Sequence, residues 1–146
     1  MKIIDLFSGI GGFALGFQRA GYQFTEHYFS EIDKHAIANY KHNFPHAKYI
    51  GDITSIHGGD FTDIDIITFG SPCFVKGTKT LTNRGFILTE IECELLQGFS
   101  ENWTQYGDYN GTIKPIAKTQ RYKLIGNAVT VDIVELIAKR LKFIEP

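Results

Sequence analysis

The chain has 146 residues, 43% of them hydrophobic and 21% charged, with a formal net charge of −1. That length suits one domain burying roughly two thirds of its unfolded surface, and no run nears the ~18 apolar residues of a membrane span. The charge is uneven, since residues 1–73 carry 5 Lys/Arg against 8 Asp/Glu and residues 74–146 carry 10 against 8. Overall charge gives nucleic acid little support. Two loosely basic stretches, Lys76, Lys79 and Arg84, then Lys114, Lys118, Arg121 and Lys123, could face phosphates or simply solvent. Cys73 and Cys93 stand far apart in unlike contexts, which argues against a disulfide. Met1-Lys2-Ile3-Ile4-Asp5 enters a strand at once, without the basic head and apolar core of a signal peptide, so a reducing, cytoplasmic setting is expected.

In chain order, Ile3 to Phe7 reads as a strand and Gly12 to Ala20 as a helix ended by Gly21. Phe24 to Ser30 is a second strand. Asp33 to Asn43 is a second helix, with Ile37, Tyr40 and Phe44 at helical spacing and Pro45 as its stop. Tyr49-Ile50 makes a brief third strand and Asp65 to Gly70 a fourth. Strands separated by helices imply right-handed crossovers and a doubly wound, mostly parallel α/β sheet.

The second half has a different texture. Thr89-Glu90-Ile91-Glu92 predicts a capping box that opens a helix running to Gly98. Tyr106 to Thr119 reads as loop, rich in glycine, asparagine and proline. A last helix is expected from about Ala128 to Lys142, with Val129, Ile133, Ile137 and Leu141 as its core stripe.

The chemistry concentrates at strand ends. In Phe7-Ser8-Gly9-Ile10-Gly11-Gly12, a glycine turn follows a buried strand and opens a helix, a place where the backbone approaches a ligand and free N–H groups favour negative charge. The spacing is G-x-G-G, so no pyrophosphate is required. Glu31 ends the second strand, 22 residues past Gly9, where doubly wound folds place an acid on ribose hydroxyls. Asp52 ends the third strand and could accept from an adenine amino group, or act as a turn residue. After the fourth strand come Pro72 and Cys73, a thiol at the same edge. A dinucleotide oxidoreductase would account for strand, glycines and acid, but not for Pro72-Cys73 or Gly126-Asn127. No metal site is expected, because Pro45 interrupts the helix carrying His35 and His42 before His46 is reached and no cysteine joins them.

At these residues the chain resembles the DNA (cytosine-5) methyltransferases, which use S-adenosylmethionine. The resemblance covers residues 1–73 and 84–142. It implies a methyltransferase-type α/β sheet in one domain, built from blocks 1–73 and 84–146, the second closing the cofactor pocket. It gives Phe7 an adenine-stacking role, Gly9 and Gly11 the turn, Glu31 the ribose and Asp52 the adenine. Within Tyr122 to Val129 it makes Asn127 and Val129 cofactor contacts, although Asn127 also suits a helix N-cap. It makes Cys73 the nucleophile on C6 of a flipped cytosine in duplex DNA, its approach fixed by Pro72.

The resemblance also exposes gaps. The family's Glu-Asn-Val triplet and Gln-x-Arg-x-Arg segment are not in this sequence, and Phe74 stands where a glutamine is usual. Glu101-Asn102-Trp103 follows Leu96-Gln97-Gly98-Phe99, a late place in the family's order, and is not taken for the triplet. The chain reads either as a member shortened, naturally or deliberately, or as one whose middle is absent from this sequence alone; if the middle is truly absent, the strands run in the order 3-2-1-4. The bare edge of its strand at 64–70 would invite homodimers. The alternative to methyl transfer is a cofactor-binding remnant without activity.

Overall fold

In the computed structural model, which describes residues 1–70 and 88–141, four parallel strands run β3-β2-β1-β4. They are β1 (Lys2–Leu6), β2 (Glu26–Ser30), β3 (Lys48–Tyr49) and β4 (Ile66–Phe69). The order is the expected one, and it fixes the site: parallel strands end at one edge, and the order reverses between β1 and β4. Helices α1 (Gly12–Arg19) and α2 (Lys34–Asn43) join the first three strands as crossovers. Asp33 caps α2, accepting from the N–H groups of His35 and Ala36.

Register explains which face is core. Ile3 pairs with His27 and Ile66, and Asp5 with Phe29 and Thr68, so these six side chains share one face. Tyr40 of α2, Phe44 at its C-terminal cap and Ala14 of α1 pack on Phe29. Ile66 joins Phe17 and Ala20 of α1 with Val134 and Ala138 near the C-terminus. On the other face, Ile4 and Ile67 line a groove of about 320 Å³ that, among the described residues, the segment from Ile53 to Ile64 closes.

The second half departs from expectation at three places. Residues 106–119 are not a loop: Tyr106–Asp108 (β5) and Ile113–Pro115 (β6) pair as an antiparallel hairpin. Then Lys118–Gly126 forms a helix of its own, α4, after the capped α3 (Glu90–Leu96). Asn127 consequently caps the C-terminus of α4 and is no helix N-cap. The last helix, α5, starts at Val131 and runs to Leu141. Its core stripe is Val131, Val134 and Ala138, whereas Ile133, Ile137 and Leu141 of the expected stripe are 58%, 56% and 38% exposed. Apolar residues line both sides of this helix, and packing on α1 selected the smaller ones.

Two buried networks tie the layers. Asp5 accepts from Thr68 Oγ1 at 2.9 Å and from the Tyr40 hydroxyl at 3.1 Å. The same hydroxyl lies 2.7 Å from His27 Nε2, so the ring donates through Nε2. Burial pushes the Asp5 carboxyl up to about 7 against the relief given by Thr68 and Tyr40, and pushes His27 down to about 4. The signs oppose. Between pH 4 and 6.5 the folded Asp5 keeps a proton that the unfolded chain has lost, which weakens folding as pH rises. In the same window folded His27 lacks a proton that the unfolded chain holds, which strengthens folding as pH rises. The two terms cancel. Asp5→Asn removes the first, so relative to the wild type its stability should climb by about 3 kcal/mol across that window. Urea midpoints measured through the window check this, and parallel profiles for the two proteins would refute it.

The second network joins α3, α4 and the loop between them. Glu94, fully buried, accepts at one oxygen, Oε1, from Arg121 Nη2 at 2.9 Å, the Thr104 N–H at 2.8 Å and the Thr104 hydroxyl. Arg121 also donates to Thr104 Oγ1 at 3.0 Å and lies 3.6 Å from Glu90.

Candidate cofactor site

The carboxyl edge of the sheet gathers most of the residues singled out in the sequence. Phe7 leaves β1 with φ +52, a left-handed conformation rare for a bulky residue, and its ring is 42% exposed. Ser8 is held by its N–H on the Ser30 carbonyl at 3.1 Å, which ties the ends of β1 and β2. Its hydroxyl is buried without a hydrogen-bond partner among the described residues. Gly9 has φ +54, and a Cβ there would meet nothing within 4 Å. The N-terminus of α1 has no side-chain cap, which leaves its first N–H groups free for an anion.

Gly11 is a glycine for another reason. Its φ is +86, and a Cβ would lie 2.3 Å from the Phe44 ring. The missing side chain lets α2 close over the turn. Of the two turn glycines, Gly9 faces open space and Gly11 faces the core.

Glu31 follows β2 and reaches the turn directly. It accepts from the Gly9 N–H at 2.8 Å with Oε2, and from the N–H groups of Ile32 and Asp33 with Oε1. Oε1 is filled by its two donors, and Oε2 keeps a lone pair for a hydroxyl ligand. Asp52 caps a 3-10 turn at Ile53–Ser55, accepting from the Thr54 N–H at 2.9 Å. Tyr49 donates to the Glu31 carbonyl at 2.9 Å. Its hydroxyl is held above its ordinary range by burial and by the charges of Asp52 and Glu31. Ile32 adds a side chain 75% exposed beside Glu31. The edge thus offers two acids, Glu31 and Asp52, and, in Phe7, Ile32 and Tyr49, exposed apolar surface. Such a surface suits a flat ring, vicinal hydroxyls and a positive charge on one ligand.

The C-terminal block approaches this edge through contacts the sequence did not disclose. Lys123 of α4 binds Asp33 Oδ2 at 2.6 Å. Burial would raise the Asp33 carboxyl, yet Lys123 and the N–H groups of His35 and Ala36 hold it below the usual range. Trp103, the chain's single tryptophan, donates its indole N–H to the Ile10 carbonyl at 3.0 Å, inside the glycine turn. Val129 lies against Gly12 and Gly70, while Asn127 is exposed at the end of α4. Pro72 and Cys73 lie outside the described residues, as do Lys76, Lys79 and Arg84.

Other candidates have ordinary roles. Arg121, Lys118 and Lys123 are engaged with acids, which leaves Lys114 of that basic stretch without an ion pair among the described residues. His35 Nδ1 is 2.6 Å from the Tyr109 hydroxyl, and His42 and His46 are exposed. Cys93 is half-buried in α3, where burial and then Glu92, Glu90 and Glu94 push its thiol up, away from nucleophilic use. Among the described residues no helix is long and apolar enough to cross a membrane.

The profile of the C-5 cytosine-specific DNA methylases matches residues 1–75 and 77–143. The chain belongs to this family. The sheet and its helices accordingly form the α/β fold of an S-adenosylmethionine-dependent methyltransferase. Curated relatives include the type II methyltransferase M.NlaX of Neisseria lactamica, 46% identical over 49% of this chain and 23% of its own length. M1.ScrFI of Lactococcus lactis subsp. cremoris is 45% identical over 62% of this chain and 24% of its own length. M.HaeII of Haemophilus aegyptius is 40% identical over 64% and 30%. The matched stretch is therefore less than a third of each of these methyltransferases.

Proposed function

We propose that this chain binds S-adenosylmethionine at the carboxyl edge of β1 to β3, in one domain whose C-terminal block completes the pocket. The observation that carries the reading is the pairing of Gly9, open where a Cβ would stand, with the Glu31 carboxylate 2.8 Å from its N–H. Around it, among the described residues, the Ser8 hydroxyl lacks a partner and the α1 terminus lacks a side-chain cap, so a carboxylate ligand would have donors there. Glu31 would hold the ribose hydroxyls, Phe7 would stack on the adenine, and Asp52 would accept from its amino group. Asn127 and Val129 would close the far side. When bound, the cofactor supplies a methyl group on a cationic sulfur.

The reaction that membership of the family supports is methyl transfer to C5 of cytosine in duplex DNA. The Cys73 thiolate would form a bond to C6 of the base, and the electron pair would move to C5, the atom to be methylated. Loss of the C5 proton then returns the pair and expels the thiolate. Pro72 would fix the thiol's approach. A second reading, a cofactor-binding remnant without turnover, is favoured by one fact: the sequence lacks the Glu-Asn-Val triplet. A missing general acid typically costs ~10²–10⁴ in rate.

Calorimetry tests the cofactor assignment that both readings share. S-adenosylmethionine should bind and NAD should not, and Glu31→Gln should weaken binding about 10- to 100-fold, the worth of charged hydrogen bonds. Binding of NAD alone, or full affinity in Glu31→Gln, would overturn the assignment. Transfer of labelled methyl to duplex DNA, lost in Cys73→Ser, would establish the enzyme, and binding without transfer would leave the remnant.

A further inference from the structure

Asp5 is a buried acid with no cation to answer it. It is fully enclosed in β1, just before Phe7, and both of its hydrogen-bond partners are neutral: the Thr68 hydroxyl of β4 and the Tyr40 hydroxyl of α2. No lysine or arginine pairs with it among the described residues. From β2 come Phe29 and, behind Tyr40, the His27 ring, which burial keeps neutral down to about pH 4. Helix α1 adds the apolar Ala14 and Leu15 to the same cluster. Among the described residues the ionised group whose charge reaches Asp5 is Glu31. Burial holds the Asp5 carboxyl up at about 7, and Glu31 adds to the rise.

This cluster touches the candidate site. The Tyr40 ring lies 3.1 Å from where a Cβ on Gly11 would stand, and Glu31 holds the Gly9 N–H at 2.8 Å. The interior beneath the turn screens charge poorly, so charge at the edge is felt at Asp5. Glu31 opposes ionisation there, and a positive charge bound beside Glu31 acts with the opposite sign. A neutral ligand has no such effect.

We propose that Asp5 sets the preference of this site for a cationic over a neutral ligand, giving up its proton to solvent when a sulfonium settles at the edge and keeping it beneath a thioether. This rests on the cofactor reading above, and Asp5, being fully buried, acts through charge and not by contact. Linkage fixes the sign. Where the free chain holds the proton and the complex has lost it, affinity for the sulfonium rises with pH. Above about 7 the free chain has lost the proton too, and the gain stops. Discrimination against S-adenosylhomocysteine, the neutral thioether that methyl transfer leaves, sharpens over the same interval.

Calorimetry on the whole chain near pH 6.5, in two buffers of unlike ionisation heat, counts the protons. With S-adenosylmethionine the wild type should release about half a proton more than Asp5→Asn, as a one-unit change centred there requires. With S-adenosylhomocysteine the two proteins should match. Between about pH 5.5 and 7.5 the ratio of the two affinities should move about sixfold further toward the sulfonium in the wild type than in Asp5→Asn. The ligands' own amino groups contribute alike to both proteins. Thr68→Val should keep the effect and carry it to higher pH, because the lost hydroxyl favoured the charged form, a displacement that a merely structural Asp5 would not show. Equal release from wild type and Asp5→Asn would overturn the proposal and leave the cofactor site standing. So would wild-type release no larger with S-adenosylmethionine than with S-adenosylhomocysteine, a comparison that needs no variant. Failure of S-adenosylmethionine to bind at any pH would remove the site itself, and the proposal with it.

Discussion

Arg121→Met is expected to remove about 3–5 kcal/mol of stability, the cost of leaving a buried carboxylate without its partner. The carboxylate is Glu94, fully buried, which depends on Arg121 Nη2 at 2.9 Å and on Thr104. Against a typical domain stability of about 5–15 kcal/mol, this single change would consume much of the total. Glu94 Oε2 already lacks a partner among the described residues, so the group has no second anchor to fall back on. The pair is nevertheless replaceable as a unit. Glu94→Leu with Arg121→Met should recover most of the loss, because two well-packed apolar side chains need no mutual charge. Urea unfolding of the single and double variants decides this. A double variant no more stable than Arg121→Met would mean that the guanidinium acts through Thr104 and Glu90 instead.

Gly11→Ala is the second large effect. A Cβ at φ +86 carries a left-handed penalty of roughly 1–2 kcal/mol, and its clash with Phe44 adds a typical overpacking cost of about 1–3 kcal/mol. Gly9→Ala, two residues away, meets no neighbour and should show only the conformational part. Its Cβ would enter the space assigned to the cofactor. The two alanines should therefore separate: Gly11→Ala reads out in thermal melting, Gly9→Ala in S-adenosylmethionine affinity. Equal melting temperatures for the two variants would show that Phe44 yields to the added methyl.

The N-terminal half was legible because local signals agreed there with packing. Gly21 and Pro45 mark where α1 and α2 stop, Asp33 caps α2, β2 and β4 fall within the predicted strands, and β1 and β3 begin one residue before them. The C-terminal half was less so. β5 has three residues, and its place is set by Gly107 lying so close to Ala38 that a Cβ would sit 2.8 Å away. No local pattern encodes that approach. In α4 only Arg121, Leu124 and Ile125 are buried, too few to give a helical stripe. In α5 the sequence offers two apolar stripes, and only the partner helix reveals which one is core. At the candidate site, Gly9, Glu31 and Asp52 could be found from their spacing after strands. The orphan hydroxyl of Ser8, the Trp103 hold on Ile10 and the Lys123 hold on Asp33 required the fold.

The joining of the chain's extremes has a consequence for how it folds. Trp103 reaches back 93 residues to the glycine turn, and Asp132 reaches back 113 to Arg19. The cluster of Phe17, Ala20 and Ile66 is completed when Val134 and Ala138 arrive. During synthesis the first strands therefore leave the ribosome with a naked apolar side that waits for nearly the whole chain. High contact order of this kind slows the search for the native state, and nascent β1 to β4 would have to be shielded through it.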